Sequence, residues 1–439
     1  DAGRDVVVQT TTVQGGSAEG VDGTNGARIR TQSIDRVAGL YVTDPGGELS
    51  IKAGQDVVLQ GAEVKSEGSV SIRAERDLKL QTVRTGGDLD ITWDKEATRQ
   101  RSTSQSHGTT ISARGGNANL SAGRDLTGEA AQLEAQGTLA LQAKGNVTLD
   151  GAIDRQGART YQHSGGGMNY FSLDAYSQDE SVNRSTLNGQ HVSIQSGGDT
   201  TLAAVTVNAQ SLDIDAKGKL ILPAVTTQDS EGWNVTHGSS ASVGARGKGS
   251  SDETLNYTQF NVTGKTNINA QGGIQAQVGE NVNLQDLAKQ PGMGWVSQIT
   301  NDPKLAGSAE WQRVKEAHEQ WAYRQSGMGP VSAALVAVMV AAAAAPAAGA
   351  AGATAGNAAA AAAGEGVALA NGSVFLTATG STISAAAAGA VEAGVLALSS
   401  QVGVSFFNNG GDLGKVFKEL GESDSIKNLA TAIVTGGVL

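Results

Sequence analysis

The sequence predicts a mainly β protein: a right-handed parallel β-helix with hairpin or loop insertions, followed by an α-helical Ala-rich domain. Three observations lead there. An internal repeat of 20–21 residues runs through the first 290 residues. Gly is plentiful, 60 of 439, while aromatic side chains are only 4%. Charge disappears abruptly after residue 325. These shifts divide the chain into residues 1–290, 291–325 and 326–439.

The repeat is legible from Gly47 onward. Leu49, Ile51, Asp56 and Leu59 recur 21 residues later as Val70, Ile72, Asp77 and Leu80. The same step separates Leu120 from Leu141 and Asp125 from Asn146, and Ile194 precedes Ile214 by 20. Each unit alternates apolar and polar residues in short runs divided by Gly-Asp, Gly-Asn or Gly-Lys turns. Gly and β-branched residues dominate and no 3.6-residue period appears, so a helical reading fails. A closed sandwich needs no fixed step, whereas a coil that stacks on the next one does. Ladders of Leu, Ile, Val and Ala would make a thin core with little need for aromatics.

Residues 93–116, 154–187 and 227–263 interrupt the ladder and resemble one another. They carry Ser106-His107-Gly108, Gln162-His163-Ser164 and Thr236-His237-Gly238. Asp179-Glu180-Ser181-Val182-Asn183 corresponds to Asp252-Glu253-Thr254-Leu255-Asn256, 73 residues on. A longer unit of insertion, coil, coil therefore overlies the short one, and the insertions should leave the rod on one side. His107, His163, His237 and Trp233 are the candidate residues of the displayed loops, a common place for function on a rigid scaffold. Tolerated surface excursions are the plainer alternative.

A hinge is expected near Pro291-Gly292-Met293-Gly294. Residues 301–325 then read as an amphipathic helix, with Asp302 as N-cap and Pro303 at its first position. Trp311, Val314, His318 and Trp321 would share one face and cap the open end of the β-helix. His318 there is a packed residue before it is a metal ligand.

From Gln325 to Gly411 only Glu365 and Glu392 are charged. The Val331–Ala345 run ends at Pro346, and Gly352 and Gly356 stand in Gly-x-x-x-Gly spacing. Three readings compete: a soluble Ala-packed hairpin, a conditional membrane-inserting segment, and a low-complexity linker. Val331, Val340, Gly352, Gly356 and Val404 are the candidate membrane-interaction residues.

Composition excludes several classes. Cysteine is absent, removing disulfides, thiolate metal sites and cysteine nucleophiles together. A net charge of −11 without a basic cluster argues against nucleic acid as partner. The five histidines are scattered, so no catalytic, metal or cofactor site is expected. Gly86-Gly87-Asp88-Leu89-Asp90-Ile91 resembles one calcium nonapeptide, but without tandem copies it reads as a turn opening a coil. Asp56 stacked over Asp77 would bring two carboxylates to about 5 Å, a retaining-glycosidase spacing. Both occupy the repeated turn position, so catalysis is not expected.

The Ala-Gly-Arg-Asp-Val and Ala-Gly-Gln-Asp-Val turns at residues 2–6 and 53–57, with the 20-residue coils, resemble filamentous haemagglutinin repeats. Those repeats occur in the large exoproteins of bacterial two-partner secretion, including contact-dependent growth-inhibition effectors. The interrupted Ser/Gly-rich form resembles their second haemagglutinin-repeat block. Phe406-Phe407-Asn408-Asn409-Gly410-Gly411-Asp412-Leu413-Gly414-Lys415 is similar to the "possible haemagglutinin" pretoxin domain that follows. The chain begins and ends mid-pattern and reads as a fragment. The resemblance implies a secreted, cell-surface segment reaching the target-cell envelope. It would engage the target cell's outer membrane and help to deliver a C-terminal toxin. An outer-membrane transporter would export the full-length protein. The rival functions are an adhesin for a host receptor or glycan and a β-helical carbohydrate-active enzyme.

Overall fold

The computed structural model describes residues 1–21, 25–93, 97–166, 169–238 and 243–327, together with a short antiparallel pair, Gly366–Ala368 with Val374–Leu376. Successive coils stack in parallel register at the predicted step: Leu49 on Val70, Ile51 on Ile72, Val57 on Leu78, Leu120 on Leu141. One inward ladder runs Ile51, Ile72, Leu120, Leu141, Ile194, Ile214, Ile268. A second runs Val64, Ile111, Leu133, Leu187, Val207, Phe260. The third wall is a nine-stranded parallel sheet from Val6–Gln9 to Ala309–Val314, about 38 Å along the stacking direction. Inward residues of the three walls make one apolar core in which most members have no exposed surface. Alternation of Leu, Ile and Val with polar residues does this directly, because a strand sends alternate side chains to opposite faces.

The repeated Asp/Asn turn position has a hydrogen-bonding purpose. Its side chain accepts the backbone N–H of its counterpart one coil on: Asp5 from Asp56, Asp56 from Asp77, Asp125 from Asn146, Asn146 from Asp199. Each turn thus satisfies a donor that the next turn would otherwise leave orphaned. Arg76 adds two hydrogen bonds to Asp56, at 2.6 and 2.9 Å, and Arg124 does the same for Asp77.

The predicted helix over residues 301–325 is not formed. Asp302 does cap a helix, accepting from the Lys304 N–H with Pro303 in the first turn, but that helix is only Pro303–Ala306. After Gly307 the chain becomes two strands, Ala309–Val314 and His318–Gly327. Trp311 and Val314 therefore lie on one strand and His318 and Trp321 on another. The last coil, Ile274–Gly279, offers a free edge, and Ala309–Val314 pairs with it in parallel, placing Trp311 against Ala276. Edge pairing outweighs a modest helical periodicity. Capping falls instead to Gly294–Asn301, which buries Trp295, Val296 and Ile299. Trp295 stacks on Trp311 with ring centroids 6.1 Å apart and meets Phe260 at a tilt of 52°, with centroids 6.2 Å apart. The predicted hinge is packed into this cap: Met293 is buried, and Gly292, at φ +76°, accepts from the Phe260 N–H.

Apart from residues 326–327 and that short strand pair, the Ala-rich domain, with its candidate residues Val331, Val340, Gly352, Gly356 and Val404, lies outside the described residues. Among the described residues no helix is long and apolar enough to cross a membrane.

Candidate functional site

The insertions are β-hairpins, and they pair with one another. Val83–Trp93 with Ala97–His107, Ala152–Gly166 with Asn169–Asn183, and Val225–Gly238 with Val243–Asn256 form three hairpins. A fourth, Thr11–Val21 with Asn25–Arg36, precedes them and was not anticipated. Neighbouring hairpins join antiparallel, and His318–Gly327 closes the far edge. The result is a nine-stranded antiparallel sheet along one side of the rod. The hairpins thus begin at 83, 152 and 225 rather than at 93, 154 and 227. The Gly86–Ile91 segment is mid-strand, not a turn opening a coil.

Buried hydroxyls hold each of the three later hairpins where it returns to the rod. Thr109 donates to the Leu59 carbonyl at 2.7 Å, Ser185 to that of Asp150 at 2.6 Å, and Thr258 to that of Leu202 at 2.7 Å. Ser185 and Thr258 also accept from the N–H groups of Ala131 and Val205. Sequence reasoning missed these three, although each is a hydroxyl two residues beyond the hairpin's last residue.

The sheet does not bring the histidine motifs together. His107 lies at the base of a second strand, opposite Val83, with Nε2 2.7 Å from the Thr85 hydroxyl. His163 and His237 lie on first strands, close to the hairpin tips. Paired residues of an antiparallel ladder share a face and neighbours alternate. His163 pairs with Ser172, which pairs with Thr236, so His237 points the other way. The three motifs are not equivalent sites.

What the register does assemble is two dissimilar faces. One holds His163 stacked on Tyr170, the ion pairs Arg159–Asp174 and Arg155–Glu180 at 2.7 Å, and a set of aromatics seated on glycines. Tyr176, Gly232, Gly249 and Trp321 form one transverse row. A Cβ at Gly232 would lie 2.9 Å from the Tyr176 ring and 3.0 Å from that of Trp321. Glycine is required there because the rings occupy the space. Tyr323 stacks on Trp321 at 5.9 Å and donates to Asn234 Oδ1, while burial pushes its phenol up to about 12.

The opposite face is open. It exposes Val13, Ile29, Trp93, Phe171 and Trp233. Beside Ile29 and Trp93 stand Arg99 and Arg101, and beside Phe171 and Trp233 stand Arg246, Lys248 and Arg324. Each apolar group is thus followed by a basic strand, and the two groups are about four strands, ~19 Å, apart. Arg246 sits 5.9 Å from the Trp233 ring centre.

The Asp56–Asp77 stack is occupied by cations. Lys79 bridges both carboxylates at 3.4 and 3.3 Å. The Arg76 bonds hold the Asp56 carboxyl well below its usual range, and those of Arg124 lower Asp77 likewise. A general acid needs a raised pKa, so this pair is a structural clamp. Among the described residues no cluster of three or more His, Asp or Glu is disposed to hold a metal ion.

A rod of 20–21-residue coils, interrupted every second turn by hairpins zipped into a side sheet, defines a haemagglutinin-repeat architecture. Comparison with known proteins agrees. A family model described as "Hemagglutinin repeat" matches residues 42–85, 91–183 and 172–236, and one described as "Possible hemagglutinin (DUF637)" matches residues 390–439. The chain is 35% identical over 133 residues to "Deoxyribonuclease CdiA" of Dickeya dadantii (strain 3937), a stretch that is 30% of this chain and 4% of that protein. No solved structure matches the chain. The chain therefore carries haemagglutinin repeats followed by a possible-haemagglutinin segment.

Proposed function

We propose that this segment is the structural and delivery part of a secreted contact-dependent inhibition exoprotein. On this reading it engages the outer membrane of a target cell and helps to pass a C-terminal toxin domain across it. The toxin and the transporter that exports the whole protein are its partners. The segment acts by presentation and not by catalysis. One observation carries the reading: haemagglutinin repeats and the possible-haemagglutinin segment stand in that order on one chain. A rigid rod suits the task, because ladders of buried side chains transmit position from one coil to the next.

The test is a competition between cells that display the parent exoprotein and unprotected targets. Deleting residues 83–256, which removes three hairpins and the coils between them, should leave export and cell-surface display intact and abolish growth inhibition. Inhibition that persists at the parental level would refute the delivery role. Loss of cell adhesion together with inhibition would favour an adhesin.

A further inference from the structure

The open face of the hairpin sheet carries its charges at two ends. The register levels the strands Asn169–Asn183, Val225–Gly238, Val243–Asn256 and His318–Gly327 into transverse rows. Toward the rod, Asp229 pairs with Asp252 and Asp252 with His318. Asp179 stands level with them, one place beyond the Gln178–Ser230 pair. Toward the hairpin tips, Val235 pairs with Arg246 and Arg246 with Arg324. Between these rows, on the same face, lie Ser177–Glu231–Ser250–Gln320 and then Ala175–Trp233–Lys248–Ala322. The face is thus acidic at its root and basic toward its tips, with the exposed Trp233 near the middle. Six residues, ~20 Å of strand, separate Asp252 from Arg246, so the two ends do not neutralise each other within one copy.

Such a face complements itself in one orientation. A two-fold axis parallel to the rod, set over the row of Tyr176, Gly232, Gly249 and Trp321, lays each strand on its own counterpart with its direction reversed. Rows equally far from the axis then meet, and every contact occurs twice. Arg246 faces Asp252 of the second copy, with that copy's Asp229 one strand away, and Arg324 lies beside the same Asp252. Lys248 faces Ser250 of the second copy, with its Glu231 one strand away. The two Trp233 side chains stand on either side of the axis, about 7 Å apart along the strands, within the range of an aromatic pair. An axis parallel to the strands would set basic row on basic row and acidic row on acidic row. Face-packed sheets diverge at their corners because each is twisted, which carries Arg99 and Arg101, ~14 Å along the sheet from Trp233, away from the contact.

We propose that this face binds a second copy of the chain, giving a two-fold dimer of parallel rods joined through their hairpin sheets. Root meets tip, so the two rods lie on opposite sides of the paired sheets and point the same way, as two copies displayed from one surface would. The contact centres on Trp233 and Arg246, which already touch, with the guanidinium 5.9 Å from the ring centre. Trp and Arg are the side chains that most often dominate an interface.

The experiment is sedimentation velocity of the whole chain at concentrations up to about 100 µM, the range suited to a small interface. At about 0.15 M salt the Debye length is about 8 Å, so facing pairs decide the outcome and the net charge of −11 on each copy is screened. The parent chain should dimerise, and Trp233→Ala should weaken the dimer at least tenfold. Arg246→Asp and Asp252→Arg should each leave monomers. An equal mixture of those two variants should form a heterodimer, because the first then presents two carboxylates where the second presents two guanidinium groups. Arg101→Asp, on the same face outside the contact, should not weaken the dimer. Circular dichroism of each variant separates lost association from lost fold. A parent chain that stays monomeric, a dimer indifferent to both charge substitutions, or a mixture that stays monomeric overturns the proposal. The readout is the mass of the purified chain in solution, so failure here leaves the delivery reading standing.

Discussion

Ile72→Asp tests the β-helix at its centre. Ile72 has no exposed surface and is stacked between Ile51 and Leu120 within the apolar core. Losing the buried isoleucine costs about 2–3 kcal/mol. An ionised carboxylate has no partner inside the ladder, so the introduced group folds only when protonated. At pH 7, about three units above an ordinary aspartate pKa, protonation costs a further ~4 kcal/mol. The total is about 6 kcal/mol, enough to open the coils on either side. The sign of the pH dependence follows. The folded-state pKa of the new carboxyl is raised, so the second cost vanishes below its unfolded value. Relative to the parent chain, the variant should recover about 4 kcal/mol between pH 7 and pH 4. Ile72→Asn should show no such recovery. Circular dichroism melts of the three chains at both pH values, with limited proteolysis to locate the opened coils, supply the comparison. Parental melting of Ile72→Asp at pH 7, or a deficit independent of pH, would mean that Ile72 is not in the stack.

Two further outcomes follow from the site descriptions. The Asp56 carboxyl is held below its usual range by Arg76, so its contribution is present above about pH 4 and is lost as pH falls through the lowered folded value. Asp56→Asn should therefore melt below the parent chain at pH 7, with the gap closing toward pH 2. Gly249→Val puts side-chain atoms where a Cβ alone comes within 2.6 Å of the Trp321 ring. Strand His318–Gly327 should lose its seat, which a red shift in tryptophan emission and proteolysis within residues 318–327 would report; unchanged emission would place Trp321 elsewhere.

Residue spacing carried the coils because their stability is local and repetitive. Leu49 over Val70 and Ile51 over Ile72 need only that equivalent residues recur at one step, and the Asp turns recur with them because each accepts from the next. Insertions were visible as breaks in the same step, but their ends were not. Asp150-Gly151 marks a turn before Ala152–Asn183 but does not distinguish a coil turn from the start of a hairpin, and only pairing with the neighbouring hairpins decides where the strands stop. The cap inverted the local reading. Helical spacing of Trp311, Val314, His318 and Trp321 was real, yet a free sheet edge at Ile274–Gly279 and glycine seats at Gly232 and Gly249 drew the segment into strands. The histidine motifs show the same limit, since a one-residue difference in register sends His163 and His237 to opposite faces. The sequence by itself determined the coil, its step and the identity of its inward residues, because those depend on neighbours one repeat away. Only the tertiary structure decided the two faces of the hairpin sheet, because antiparallel register between hairpins about 70 residues apart is set by their pairing and by no local signal.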